Sequence, residues 1–119
     1  MKKISQIIWE HVNQRPYGTE SFACIDQIII PKRFLNSIPS DSKVKKYYKR
    51  YFRHQYLDRP IIIRTKYYNG NYHMILQDGY IRLLIMWNII NTYMDTYNVK
   101  FEEVPVQLKY VPIKYMEEL

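Results

Sequence analysis

The feature that most restricts the fold lies between residues 61 and 91. "IIIRTK" is β-branched, "YYNGNY" contains Asn69-Gly70, and "YHMILQ" follows at once. Asn-Gly tolerates the positive φ angles of a two-residue turn, so the second segment is predicted to return antiparallel to the first. Asp78-Gly79 then turns the chain into "YIRLLIMWNII", an apolar stretch that predicts a helix from about Tyr80 to Asn91 or slightly beyond. Strand, turn, strand and helix in immediate succession place the chain among folds that mix both element types.

The flanks extend this pattern. In "ISQIIWEHVN", Ile4, Ile7, Ile8 and Val12 share one face at helical spacing, which predicts an N-terminal helix over residues 3–13. Pro16 and Gly18 break it. "SFACIDQIII" reads as a strand ending at Pro31. A second helix follows in "SIPSDSKVKKYYKRYFRHQYL", where Ser40, Asp41 or Ser42 can cap by accepting a bond from an early backbone N–H. Val44, Tyr48, Tyr51 and Phe52 form its apolar stripe, and "DRP" stops it. "NTYMDTYNVKFE" has no legible period, whereas "EVPVQLKYV" alternates as a closing strand would. The expected order is α, β, α, β-hairpin, α, β. This is a single α+β domain, residues 1–119, with a small mixed sheet covered by helices and a core over about residues 22–112.

Composition narrows the function. At 119 residues the chain is long enough for one core and too short for two. Eighteen basic against eleven acidic residues give a net charge of +7. That favours nucleotides, nucleic acid or an acidic protein surface as partners and opposes mimicry of DNA. Thirteen tyrosines are well above usual for such a domain. They suit stacking on bases or a protein contact, including a homodimer, or else replace Leu and Phe in core and boundary positions. Cys24 is the single cysteine, which excludes a disulfide or a cysteine-built zinc site within these residues. His11, His54 and His73 lack metal-ligand spacing, so no metal site is expected. No signal peptide is visible and no apolar run approaches the ~18 residues of a membrane span, so a cytoplasmic protein without membrane partners is expected. The Lys-, Ile- and Tyr-heavy composition suggests an AT-rich genome such as a low-GC bacterium or its mobile elements.

Two motifs carry chemistry. Gly79 lets a ligand approach the backbone, and the helix opening after it offers N–H groups that attract anions. Arg82 stands one turn in, where its guanidinium can add a bidentate phosphate contact. A Gly-x-x-Arg at a strand-to-helix junction is therefore a phosphate cradle, or an ordinary turn followed by a solvated arginine. Lys45, Lys46, Lys49, Arg50 and Arg53, interleaved with Tyr47, Tyr48 and Tyr51, form either a nucleic-acid-binding face or a simple solvated one.

Taken in order, "PSDSKVKKYYKRY", "DRPIII", the hairpin, "QDGYIRLL" and "VPVQLKYV" resemble the ParB N-terminal/sulfiredoxin-like superfamily over about residues 25–112. There a helix leads to a "PI" strand, a hairpin strand ends in a Gly-x-x-Arg turn, and a "VPV" or "IPA" strand closes the unit. The resemblance implies that Asp78, Gly79, Tyr80, Ile81 and Arg82 form a nucleotide-phosphate turn, with Lys43 approaching from the preceding helix. It implies ATP or CTP with Mg2+ as ligand, and phosphoryl transfer or nucleotide hydrolysis as possible chemistry. Some relatives phosphorylate serine through an acidic base, for which Glu20 and Asp26 lie in the corresponding early region. The departures are specific. Tyr80 stands where sulfiredoxin places its catalytic cysteine, which disfavours sulfinic acid reduction. ParB proteins continue as Gly-Glu-Arg-Arg with small residues, whereas here Ile81, Ile85 and Met86 are bulky. The third nucleotide motif and the helix-turn-helix domain of ParB are missing from residues 1–119. The competing expectation is a non-catalytic module of the same fold that binds DNA, RNA or a host protein, as a phage or plasmid accessory or inhibitor would.

Overall fold

The computed structural model describes residues 15–54 and 57–117, so the helix expected over residues 3–13 lies outside the described residues. Strand β1 (Ser21–Cys24) is followed by a 3-10 turn over Ile25–Gln27 and by the two-residue strand β2 (Ile28–Ile29). Helices α1 (Lys32–Leu35) and α2 (Asp41–His54) lead to the hairpin strands β3 (Ile61–Tyr68) and β4 (Asn71–Asp78). Helix α3 (Tyr80–Tyr97), a 3-10 turn over Phe101–Glu103, the one-turn helix α4 (Val106–Lys109) and strand β5 (Tyr110–Tyr115) complete the chain.

The five strands form one mixed sheet in the order β1-β5-β3-β4-β2. β3 and β4 are antiparallel, as the Asn69-Gly70 turn requires, with Tyr67 opposite Tyr72. β5 runs parallel to β3 and antiparallel to β1, while β2 runs parallel to β4. The two edge strands are thus joined by three residues. A flat five-strand sheet would hold its edges ~19 Å apart. Four Cα-to-Cα steps, Cys24 to Ile28, reach ~15 Å at most. The sheet therefore curls, bringing its edges together around the core.

One face of the hairpin supplies Ile61, Ile63 and Leu76 to that core, and α3 supplies Leu83, Met86 and Ile90. Val111 and Ile113 from β5 and Ile25 from the 3-10 turn complete it. Helix α3 begins at Gly79, whose φ of 100° is left-handed, and Leu83 N–H donates to Gly79 O at 3.0 Å. It ends at Asn98, also left-handed with φ 52°, where the Asn98 and Val99 N–H groups both donate to Met94 O. Both bonds converge on one carbonyl of the last turn, that of Met94. At the start of α2, the Ser40 hydroxyl accepts from Lys43 N–H at 3.4 Å, which makes Ser40 the capping residue among the three candidates.

Four expectations are corrected. "SFACIDQIII" is two strands on opposite sheet edges, because Ile25 and Ile28 both point inward three residues apart, the spacing of a 3-10 turn. The third helix runs on to Tyr97, through residues without a legible period. "EVPVQLKYV" is not a strand: Pro105 opens the α4 turn, Leu108 N–H donates to Pro105 O at 3.0 Å, and pairing starts only at Tyr110. "VPV" therefore precedes the closing strand. Finally, Phe52 is 66% exposed, whereas Tyr51 packs against the core. Among the described residues no helix is long and apolar enough to cross a membrane.

Candidate phosphate-binding site

The junction of β4 and α3 opens into a cavity of about 370 Å3. Asp78, Gly79, Tyr80, Ile81 and Arg82 line its base, and Lys43 and Tyr47 of α2 line one wall. Phe34 and the loop Ser37–Ser40 close the other side. That volume lies within the range typical of small-ligand pockets, near its lower end.

The chain builds the base of this cavity from three local necessities. Gly79 must be left-handed to turn from strand into helix, and the Asp78 carboxylate accepts its N–H at 2.8 Å. No cap side chain reaches the first turn of α3, so its leading N–H groups face the opening. The turn also brings Arg82 beneath Gly79. Arg82 is only 7% exposed, a rare state for an arginine, and its Nη1 donates to Pro60 O at 2.9 Å. Its Nε is fully buried and has no hydrogen-bond partner among the described residues. Its guanidinium carbon lies 5.9 Å from the Tyr47 ring centroid.

The expected phosphate residues Lys43, Asp78, Gly79, Tyr80, Ile81 and Arg82 are therefore all brought to one cavity. Sequence reasoning missed Phe34, Tyr47 and the Ser37–Ser40 loop. "NSIPS" before a capped helix was the available signal for that loop, but nothing in it points to Gly79. Tyr80 packs on Phe34 with ring centroids 5.3 Å apart. Cys24 lies on β1 and does not line the Gly79 cavity. Burial pushes its thiol up, and a hydrogen bond with Asp26 adds to the effect. Glu20 and Asp26 are exposed and do not line the Gly79 cavity, so neither is placed as a base there.

Asp78 and Arg82 also border a second cavity of about 410 Å3, with Asp58, Arg59 and Pro60 on its wall. The remaining cations of α2 point elsewhere. Lys45, Lys46, Lys49, Arg50 and Arg53 surround a third, open concavity of about 470 Å3. Arg50 pairs with Asp58 at 3.2 Å, and this is the one ion pair among the described residues. Burial raises the pKa of Tyr51 on the same helix. Among the described residues, no three His, Cys, Asp or Glu side chains converge as a metal site. No family model, curated protein or solved structure matches this chain.

Proposed function

We propose that the chain is a cytoplasmic nucleotide-binding domain of the ParB N-terminal/sulfiredoxin-like kind, holding phosphates at Gly79–Arg82. One observation carries this: a buried arginine with a free Nε lies under an uncapped helix N-terminus, at the base of an open cavity. Arg82 lines that cavity, so its guanidinium places positive charge beside a bound phosphate and can add a charge-assisted bond. The helix N–H groups favour the same anion. Lys43 adds a second positive charge, and Phe34, Ile38 and Pro39 offer an apolar wall for a base. Asp78 is the one carboxylate lining the cavity among the described residues. It suits a Mg2+ carried on the phosphates, since that ion is usually held by one or two carboxylates plus the nucleotide.

The test is a thermal-shift panel of ATP, CTP, GTP and UTP with magnesium. A ligand that binds the folded state alone adds about 2.7 kcal/mol at a hundredfold excess over Kd, which raises Tm measurably. Lys43→Ala, an exposed change, should weaken that ligand about tenfold if its ammonium contacts a phosphate. A flat panel removes the reading.

A second reading rests on α2. Lys45, Lys46, Lys49 and Arg53 have no acidic partner among the described residues and surround one concavity. That arrangement favours a non-catalytic module gripping a phosphate backbone or an acidic host protein. Double charge reversal at Lys45 and Lys49 should then abolish binding to duplex DNA. If DNA binding is absent at ~50 mM salt, where such contacts are strongest, the nucleic-acid form of this reading falls.

A further inference from the structure

The β3–β4 hairpin carries a surface that the phosphate cavity does not use. Its fully buried contribution ends at Ile63 and Leu76, Met74 packs partly against the core, and beyond these the strands continue to the Asn69-Gly70 turn. Four rings crowd that extension. Tyr67 and Tyr72 face each other across the strands with centroids 4.9 Å apart, and they are 61% and 75% exposed. On the opposite face, Tyr68 and His73 stack at 3.8 Å with planes 16° apart, and Tyr68 is 40% exposed. Arg64 and Lys66 project on the Tyr68 face, four and two residues before it, and both are exposed. Residues 61–77 contain no Asp or Glu. Cross-strand packing explains why the rings meet in pairs. It does not explain why they lie beside two exposed cations with no acidic residue over residues 61–77.

We infer that the hairpin tip binds a single-stranded polynucleotide. Successive cations on one face of a strand sit ~6.6 Å apart, and Arg64 and Lys66 form such a row along which a sugar-phosphate backbone can lie. The Tyr68–His73 stack continues that row, and Tyr72 and Tyr67 present further ring faces around the tip. Base stacking on such rings tolerates any sequence, because every base has a π-face. A duplex cannot use the rings, since its bases are already stacked and paired. Charge complementarity calls for an anionic occupant, and the three exposed tyrosines favour a polynucleotide over an acidic protein, which would not need them. The surface is independent of the nucleotide reading, because none of these residues lines the Gly79 cavity.

The experiment is fluorescence anisotropy with a labelled oligothymidylate of about 16 nucleotides, the upper site size of a small binding fold. Wild-type protein should bind at ~50 mM salt and weaken steeply by ~200 mM. Tyr68→Ala and Tyr72→Ala should each weaken binding roughly tenfold, and Phe at either position should restore it. Arg64→Gln with Lys66→Gln should flatten the log–log salt slope by about 1.4, at ~0.7 per lost single-strand contact. All these positions are exposed, so unchanged melting temperatures establish that the variants fold. If an alanine variant melts early, the Arg64/Lys66 pair carries the test. The inference is overturned if the oligomer does not bind or if the hairpin variants bind like wild type. It is equally overturned if a duplex of the same length binds as tightly. Loss of binding with Lys45→Glu/Lys49→Glu alone would move the surface to α2 and also overturn it.

Discussion

Gly79 and Arg82 form one unit, because the backbone of the first makes room for the side chain of the second. A Cβ at Gly79 would stand 3.0 Å from Arg82 Nη1 and 3.2 Å from Ile61 Cδ1, on a backbone with φ 100°. Gly79→Ala should therefore destabilise the fold by about 1–3 kcal/mol through backbone strain, measured as a lowered denaturant midpoint with unchanged m-value. Arg82 has a structural duty as well, since its Nη1 satisfies the buried carbonyl of Pro60. Arg82→Met should cost about 1–3 kcal/mol by leaving that carbonyl without its donor. Arg82→Lys separates the two duties: an ammonium can supply a bond to Pro60 but not a planar fork to phosphate. Stability near wild type with nucleotide affinity lost is the outcome expected of a phosphate ligand. The Gly-x-x-Arg spacing was visible in the sequence. The burial of Arg82 was not, because it depends on Pro60, a residue from another strand entry that folding alone brings close.

Helix α3 shows which signals act at the scale of an element. Its apolar first half and the Asp78-Gly79 turn were legible because they satisfy local rules. Its second half, "NTYMDTY", presents Tyr93 and Met94 to the core among exposed polar residues, a pattern too sparse to assert a period by itself. What stops the helix is Asn98 in the left-handed region, a role open to several residues and marked by no glycine here. Asn98→Gly should thus stabilise the protein by about 0.5–1 kcal/mol, since glycine adopts that conformation without the penalty of a Cβ. A rise in Tm of a few degrees would show it, and a fall would mean that the Asn98 side chain contributes more than its backbone. Strand β2 and helix α4 were illegible for a related reason. Two residues and four residues are too short to express a period, and both exist because neighbouring strands define their positions. The "VPV" segment illustrates the hazard: alternation over 103–111 mimics a strand, while Pro105 converts it to a helical turn.

At the scale of the whole molecule, the sheet is held by its latest strand. β5 pairs with β1 on one side and β3 on the other, and Val111, Pro112 and Ile113 are all buried. The curled sheet cannot close until β5 arrives, because β1 has no other neighbour. Amides of Val111 and Ile113 should accordingly exchange only through global unfolding, whereas those at the hairpin tip exchange through local opening. Ile113→Ala, at 1% exposure, should cost about 2–5 kcal/mol, a large share of a small domain's stability. The pH response follows from Tyr51, whose burial raises its pKa above the ordinary tyrosine value. The phenol is neutral when protonated, so the folded state holds its proton more tightly than the unfolded chain does. Stability from this group is complete below the ordinary tyrosine value and falls as pH rises through the raised one. Chemical denaturation at increasing alkaline pH should show this decline, and Tyr51→Phe should remove its share while leaving the neutral-pH midpoint close to wild type. A wild-type curve that Tyr51→Phe reproduces at every pH would place the alkaline sensitivity on another group.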